Sequence, residues 1–501
     1  MRHRGFILFA VASLAALAGA AAQQQPAASF RNDATWWAPA DGKPFPRELD
    51  YANAAGVVRT LLKDGPAETL GHAFFSPLGP NGRACITCHQ PADAMALSVE
   101  SVRNRWATQG SADPLFAAVD GSNCPTLRQD ERTSHSLLLD HGLIRIERDW
   151  PIRDAAGRGV TADFRLEVVR DPYGCNSGEW GPGGKKAKVS VYRRPRPTTN
   201  LKYLTAIGFA YDPKDGMPLE IDPETGKPAS GNLTADRRVL SLEAQARDAM
   251  RTHLGVEGLI GPSIVRQLVD FEMRLSSAQA VDNRAGRLDD GVLGGPGHLE
   301  ASQPGQLGSI GRAVWSEFEG WEKLPAGARL TPEQRAFRES VARGARVFRE
   351  KTFLITDSAG INSPIGFGNP VRNSCVFCHN MSQMGNDVAP GQVDLGTTNQ
   401  PFADPAPHLP LFRITCLAEP HPHYGKVIYT SDPGYALTTG KCADVGKITL
   451  QSMRGLAARA PYFSNGSART LRDVIDFYER RYRIGYTEQE KQDLVNLMSV
   501  L

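Results

Sequence analysis

The spacing of apolar and polar positions predicts helices along most of the chain. Ile264, Leu268, Phe271 and Leu275 recur at three- and four-residue steps, so residues 238–280 read as helical with one buried face. Thr331-Pro-Glu-Gln334 is a capping box with Pro at the first helical position, and it opens a helix carrying Phe337, Val341, Ala345 and Phe348 on one side. Thr470 and Asp473 resemble a cap for a helix with Leu471, Val474, Ile475 and Tyr478. Thr487-Glu-Gln-Glu490 opens a last helix with Leu494, Leu497 and Leu501. One region has the other period: Asp163-Phe-Arg-Leu-Glu-Val-Val and Lys188-Val-Ser-Val-Tyr alternate around a Gly-rich stretch, which predicts a β-hairpin. Residues 212–236 read as a polar loop or a second small hairpin, and residues 281–312, rich in Gly, Asp and Pro, mark a boundary.

The first residues have a different character. Met-Arg-His-Arg is followed by an apolar run from Gly5 to Ala18 and by Ala20-Ala21-Ala22, the pattern of a secretory signal peptide cleaved near Ala22. No later run approaches the ~18 apolar residues of a membrane span, so a periplasmic, non-integral protein is expected. The expected organisation is a signal peptide over 1–22, an extended Pro-rich arm over 23–50, an N-terminal domain over 51–280 with a β insertion at about 160–236, a linker over 281–330 and a C-terminal domain over 331–501.

Composition narrows the function classes. With 41% hydrophobic and 22% charged residues in 501, the chain is an ordinary globular mixture. Its net charge of +3 becomes about +1 once Arg2 and Arg4 leave with the signal, too balanced for a general nucleic-acid binder. Eight cysteines are too few for a disulfide scaffold of this length, so their positions carry the information.

Four of them decide the reading. Cys85-Ile-Thr-Cys88-His89 and Cys375-Val-Phe-Cys378-His379 are two copies of the c-type haem attachment signature. Two thiols three positions apart add to the two vinyl groups of one haem, and the histidine that follows ligates the iron. Zinc would want four ligands, and neither cluster has a second pair nearby; a thioredoxin-like pair has no reason to be followed twice by His. Two covalent haems are therefore expected, with His89 and His379 as proximal ligands. Cys124, Cys175, Cys416 and Cys442 remain. In an exported protein they suggest disulfides, and chain order favours Cys124–Cys175 and Cys416–Cys442 over free buried thiols. The sixth iron position decides between electron carriage and reaction. Met381, Met384, Met453, His408, His421 and His423 are candidates near the second haem, and His135, His141 and His253 near the first.

With these motifs the chain resembles the bacterial dihaem cytochrome c peroxidase family, which includes MauG-type enzymes. The likeness is sharpest at Arg454-Gly-Leu-Ala-Ala-Arg-Ala-Pro-Tyr-Phe-Ser-Asn-Gly-Ser-Ala-Arg-Thr-Leu471, at Asn200-Leu-Lys-Tyr-Leu-Thr and at Ser241-Leu-Glu-Ala-Gln-Ala246. It implies a mainly α fold of two cytochrome c-like helical domains, each with one c-type haem, and a small β-hairpin insertion in the first. It implies reduction of hydrogen peroxide at the N-terminal haem, with electrons entering at the C-terminal haem from a small periplasmic cytochrome c or cupredoxin. Gln245 matches the family's Gln at the start of the distal helix, His253 stands where a general acid/base could act, and Phe209 or Tyr211 would replace the bridging Trp. Family members often hold calcium between domains, although no dedicated acidic loop is read here. The family's acid eleven positions after the Gln is Val256, its His in the Pro-Tyr-Phe run is Ser464, and its closing Met aligns near Gly446. These departures leave a MauG-like or rubber-oxygenase-like oxidase, or a non-catalytic dihaem carrier, as the alternatives.

Overall fold

The computed structural model describes residues 35–154, 157–205, 220–227, 229–304, 316–362, 367–381, 384–385 and 391–501. The signal peptide, Phe209 and Tyr211 lie outside the described residues. Ten α-helices and five small sheets occur among those described, so β structure takes a larger share than a mainly helical chain would have.

The C-terminal helices form as their caps dictate. Thr331 Oγ1 accepts from the Gln334 backbone N–H at 3.2 Å while Gln334 Oε1 accepts from the Thr331 N–H at 3.1 Å. The same reciprocal pattern starts helices Leu471–Tyr482 and Glu488–Val500. Phe337, Val341, Ala345 and Phe348 are buried against Leu494, Leu497 and Leu501. The crossing is close: a Cβ on Gly344 would stand 2.2 Å from the Asp493 carbonyl oxygen, so only glycine fits.

In the first half, Ser241 caps helix Leu242–Leu254, and helix Pro262–Met273 packs beside it. The predicted helical run stops there. Residues Leu275–Asp282 are a strand between Gly56–Leu62 and Gly286–Arg287, and Glu48–Asn53 completes the sheet. Leu275 keeps its inward position because it pairs with Leu62 at the end of that sheet, which period alone could not reveal. The described part of the expected arm is also built in. Trp37 and Phe45 are buried, their rings 5.1 Å apart, and Phe45 meets Phe271 edge-on at 5.5 Å.

The expected hairpin is corrected. Phe164–Arg170 does not pair with Lys188–Arg193; it pairs with Leu411–Cys416, which in turn pairs with Val427–Thr430. Lys188–Arg193 pairs with Ile144–Asp149. The reason lies in burial. Phe164 and Leu166 form one apolar face that packs with Phe412 and Ile414, while Val189, Ser190 and Val191 are buried on both faces. Strands from both halves of the chain thus share one core.

Both expected disulfides are present, Cys124–Cys175 and Cys416–Cys442, closing separations of 51 and 26 residues. Replacing Cys124 and Cys175 together by serine is expected to lower unfolding free energy by about 2–5 kcal/mol in denaturant titration, because the cross-link restricts the unfolded chain.

Candidate functional site

Each Cys-x-x-Cys-His starts as one tight turn. Cys85–Thr87 and Cys375–Phe377 are single 3-10 turns, and the His89 and His379 amides donate back to Cys85 O and Cys375 O at 3.1 and 2.9 Å. Five and six residues past each histidine the backbone turns over in the left-handed region: Ala94 and Met95 have φ of 55° and 57°, Met384 and Gly385 of 60° and 74°. That reversal aims one carbonyl at each imidazole. His89 Nδ1 lies 3.2 Å from Met95 O and His379 Nδ1 lies 3.3 Å from Gly385 O. Burial pushes both imidazoles down to about 4 against the pull of those carbonyls, so both are neutral at pH 7. With the proton fixed on Nδ1 by its acceptor, Nε2 presents a lone pair, the form a metal-ligating histidine takes.

The four motif thiols are unpaired with one another. Burial pushes Cys88 and Cys378 up to about 12 and Cys375 to about 11, and Cys85 moves in the same direction. Among the described residues there is no group of three or more His, Cys, Asp or Glu side chains that could hold a metal ion.

Each motif opens into its own cavity. The two cavities hold about 1280 and 1250 Å³ of atom-free space, mouths included. The C-terminal cavity is apolar and tyrosine-rich: Tyr462, Tyr478, Tyr482 and Tyr486 line it with Phe348, Ile355 and Leu450, and Arg459 is the one charged side chain among its described lining residues. The N-terminal cavity carries Arg83, Asp120, Arg193, Arg194, Arg196, Arg238, Gln245, His253 and Glu272. Paired thiols, a neutral histidine held at Nδ1 and apolar wall residues beside them suit a covalently attached haem in each cavity.

Helix Leu242–Leu254 brings Gln245, Ala249 and His253 to the N-terminal cavity at four-residue steps. His253 Nδ1 is 2.5 Å from Asp120 Oδ2. Asp120 is buried and is held on its other oxygen by the Arg83 guanidinium, which also donates to Pro114 O at 2.7 Å and Leu115 O at 2.6 Å. Burial alone would raise the Asp120 carboxyl; Arg83 and the His253 bond outweigh it and hold it below the usual carboxylate range. The result is an imidazole with one nitrogen anchored to a fixed carboxylate and the other free for proton transfer.

Sequence reasoning missed Asp120, Arg83 and Glu272. No motif marks them, because their partners lie far along the chain. Glu272 lines the N-terminal cavity, is buried, and has no hydrogen-bond partner at Oε2 among the described residues. Burial raises its carboxyl from 4.5 to about 8. The fold therefore keeps a proton that the unfolded chain has released, and stability falls as pH rises from about 4.5 to about 8. Glu272→Gln is expected to remove that decline and gain about 2–4 kcal/mol over the parent at pH 8, read by denaturant unfolding at pH 5 and pH 8.

The other sequence candidates separate clearly. His135 has its ring nitrogens on Gly121 O and Gln129 O at 2.8 and 2.9 Å. His141 and His408 stack on each other at 3.8 Å, and His421 stacks on Tyr424 beside His423. None of these five lines either cavity, nor do Met381 and Met384. Met453 does, but beside the histidine turn: a Cβ on Gly385 would lie 3.4 Å from Met453 Sδ and 3.6 Å from His379 Nδ1. Tyr478 places its hydroxyl 3.4 Å from His379 Nε2. Val256, at the position of the family's acid, packs in an apolar cluster. No helix among the described residues is long and apolar enough to cross a membrane.

Against known proteins, no family model matches the chain. It is 32% identical over 149 residues to cytochrome-c peroxidase IdrP1 of Pseudomonas sp. (strain SCT), covering 26% of this chain and 37% of that protein. It is 29% identical over 163 residues to cytochrome-c peroxidase IdrP2 of Denitromonas iodatirespirans, covering 30% and 42%. The matches thus span about two fifths of these relatives' length. Among solved structures, Kuenenia stuttgartiensis hydrazine synthase overlays at 16% identity with a TM-score of 0.28, covering 70% of this chain and 85% of that one. A MauG-like protein associated with microbial copper homeostasis overlays at 16% and 0.26, covering 57% and 77%. At these TM-scores neither likeness bears on the fold. Over these segments the chain is similar to proteins named cytochrome-c peroxidase.

Proposed function

We propose that the protein is a periplasmic dihaem peroxidase that reduces hydrogen peroxide to water with electrons from a small redox protein, a cytochrome c or a cupredoxin. Cys85 and Cys88 would attach one haem with His89 beneath it, and Cys375, Cys378 and His379 the other. The observation that carries this reading is the contrast between two similarly built histidine turns: one faces a cavity lined by His253 on its Asp120 anchor and by many charged side chains, the other a cavity whose described lining has Arg459 as its one charged side chain and is otherwise apolar, aromatic and hydroxyl-bearing. The N-terminal cavity is accordingly the peroxide site and the C-terminal one the electron entry. The relatives' names support peroxidase chemistry in the family.

When bound, the haem supplies the iron at which peroxide receives electrons. The chain's own part is proton and position. His253 Nε2 takes the proton from the near peroxide oxygen and delivers it to the far one. Asp120, locked by Arg83, keeps the imidazole in the tautomer that leaves Nε2 free. The Gln245 amide orients the peroxide by hydrogen bonding. The balance is one peroxide, two protons and two electrons to two waters. Stopped-flow mixing with a reduced small cytochrome and peroxide tests it: two equivalents of donor oxidised per peroxide are expected, and no peroxide-dependent oxidation would overturn it. Val256, apolar where the family carries an acid, favours as a second reading an oxidase or oxygenase of the MauG-like or rubber-oxygenase-like kind. That reading expects product from an organic or protein substrate without a donor.

A further inference from the structure

Most buried guanidiniums in this protein face a carboxylate. Arg83 pairs with Asp120, Arg105 with Asp113, Arg193 with Asp236 and Asp432, Arg238 with Asp248, and Arg454 with Glu317. Three cavity-lining arginines have no carboxylate partner among the described residues, and all three stand where the two cavities meet. The Arg194 guanidinium donates, among the described residues, to the carbonyls of Gly142 at 2.8 Å, Leu97 at 2.5 Å and Arg459 at 3.0 Å. Arg196 donates to Thr449 O at 3.2 Å and Leu450 O at 2.9 Å. Arg459 donates to the carbonyls of Arg454 and Ser452.

Their placement spans a shared wall. Arg194 and Arg196 line the N-terminal cavity, while Arg459, Thr449, Leu450 and Ser464 line the C-terminal one. The Arg194 amide donates to Ser464 O at 2.7 Å, and Thr449 N–H donates to Ala235 O at 2.9 Å, so the cavities stand back to back. Carbonyl dipoles satisfy the N–H groups but do not neutralise three charges in a low-dielectric wall. Burial, together with repulsion from Arg459, lowers Arg194 to about 9; for Arg196 the same two causes outweigh the attraction of Asp236 and lower it to about 10; burial lowers Arg459 to about 10. A buried cation without an anion is costly, and here the missing anions would have to come from what fills the cavities.

We propose that Arg194, Arg196 and Arg459 form a cationic seam between the two cavities that binds the peripheral carboxylates of the tetrapyrroles held there. The proposal rests on the haem reading above. Free inorganic anions share the carboxylate's chemistry and are the competing source of negative charge.

The test uses the holoprotein with Arg194→Gln, Arg196→Gln and Arg459→Gln, and the matching Lys variants. Haem midpoint potentials and the resonance Raman bending bands of the haem carboxylates are read. Because attachment is through cysteine, each variant should keep both haems by mass. Each Gln variant should shift a midpoint potential downward, since a lost positive charge favours the ferric form, and should move the carboxylate bands. Lys variants should restore the potential but not the bands, because the planar fork is gone. Potentials and bands left at parental values would overturn the seam, as would potentials that follow added inorganic phosphate with the bands unmoved. Should a Gln variant fail to fold, the Lys variants decide, and unmoved bands in them overturn it. A preparation without haem overturns the functional reading and the seam together; two haems with unmoved bands overturn the seam alone.

Discussion

Replacing His253 by alanine is expected to slow peroxide-dependent donor oxidation by about 10²–10⁴-fold, the range that a positioned acid–base group supplies. The expectation follows from its setting. His253 lies in the last turn of helix Leu242–Leu254, its side chain is partly exposed, and its anchor to Asp120 is the hydrogen bond that fixes which nitrogen faces the cavity. Removing the ring leaves Gly255, with φ of 70°, to end the helix, so the fold and both haem attachments should persist. The loss should therefore fall on kcat, with haem content unchanged. Asp120→Asn keeps the size and the Arg83 contact while removing the charge that holds the imidazole. It should lower kcat and displace the acidic limb of the pH–rate profile, an outcome that a merely structural role for Asp120 would not give. Unchanged turnover in His253→Ala would assign proton delivery to another group of the cavity.

Replacing Cys375 and Cys378 together by alanine is expected to reduce covalent haem from two per chain to one and to abolish steady-state turnover with the small redox donor. The C-terminal cavity is walled by Phe348, Ile355, Leu450, Val474 and Ile475, with the Tyr478 hydroxyl near His379, and its described lining has no counterpart of the His253–Asp120 pair. Its contribution under this account is to hold and pass an electron, which ends when nothing is attached there. The N-terminal turn is a separate unit, so Cys85, Cys88 and His89 should retain their haem. Intact mass and the alkaline pyridine spectrum count the groups, and donor oxidation reports the transfer. A double variant that still turned over with the donor at the parental rate would contradict the division of labour.

Much of the C-terminal half was legible from the sequence because its signals are local. Thr331 with Gln334, Thr470 with Asp473 and Thr487 with Glu490 each sit three residues apart, and each cap forms as read. The two disulfides also followed chain order. The strands did not, since a strand's partner is fixed by burial contributed from elsewhere. Phe164–Arg170 alternates as a hairpin arm would, yet its partner Leu411–Cys416 lies in the other half of the chain. Leu275 fitted a helical stripe and belongs to a strand for the same reason.

The candidate site divides along the same line. The Cys-x-x-Cys-His motifs are contiguous and could be read directly, and the spacing of Gln245 and His253 put them on one helical face. Asp120 is 133 residues from His253, and Arg83 is 37 from Asp120, so nothing in the sequence couples them. Arg194, Arg196 and Arg459 have no carboxylate partner among the described residues, and the carbonyls that Arg194 and Arg196 donate to come from distant parts of the chain, so no local pattern marks those two. His421 and His423 illustrate the converse: histidines in a Pro-rich loop suggest ligands, but His421 stacks on Tyr424 with His423 beside it, and neither lines either cavity.

The most direct measurement is the intact mass of the full chain exported into an oxidising compartment together with its haem-attachment machinery. The account predicts a mass above the mature polypeptide by two covalently held haems, lost one at a time when either cysteine pair is replaced. A colourless protein at the bare polypeptide mass, or one carrying a single haem, would contradict it.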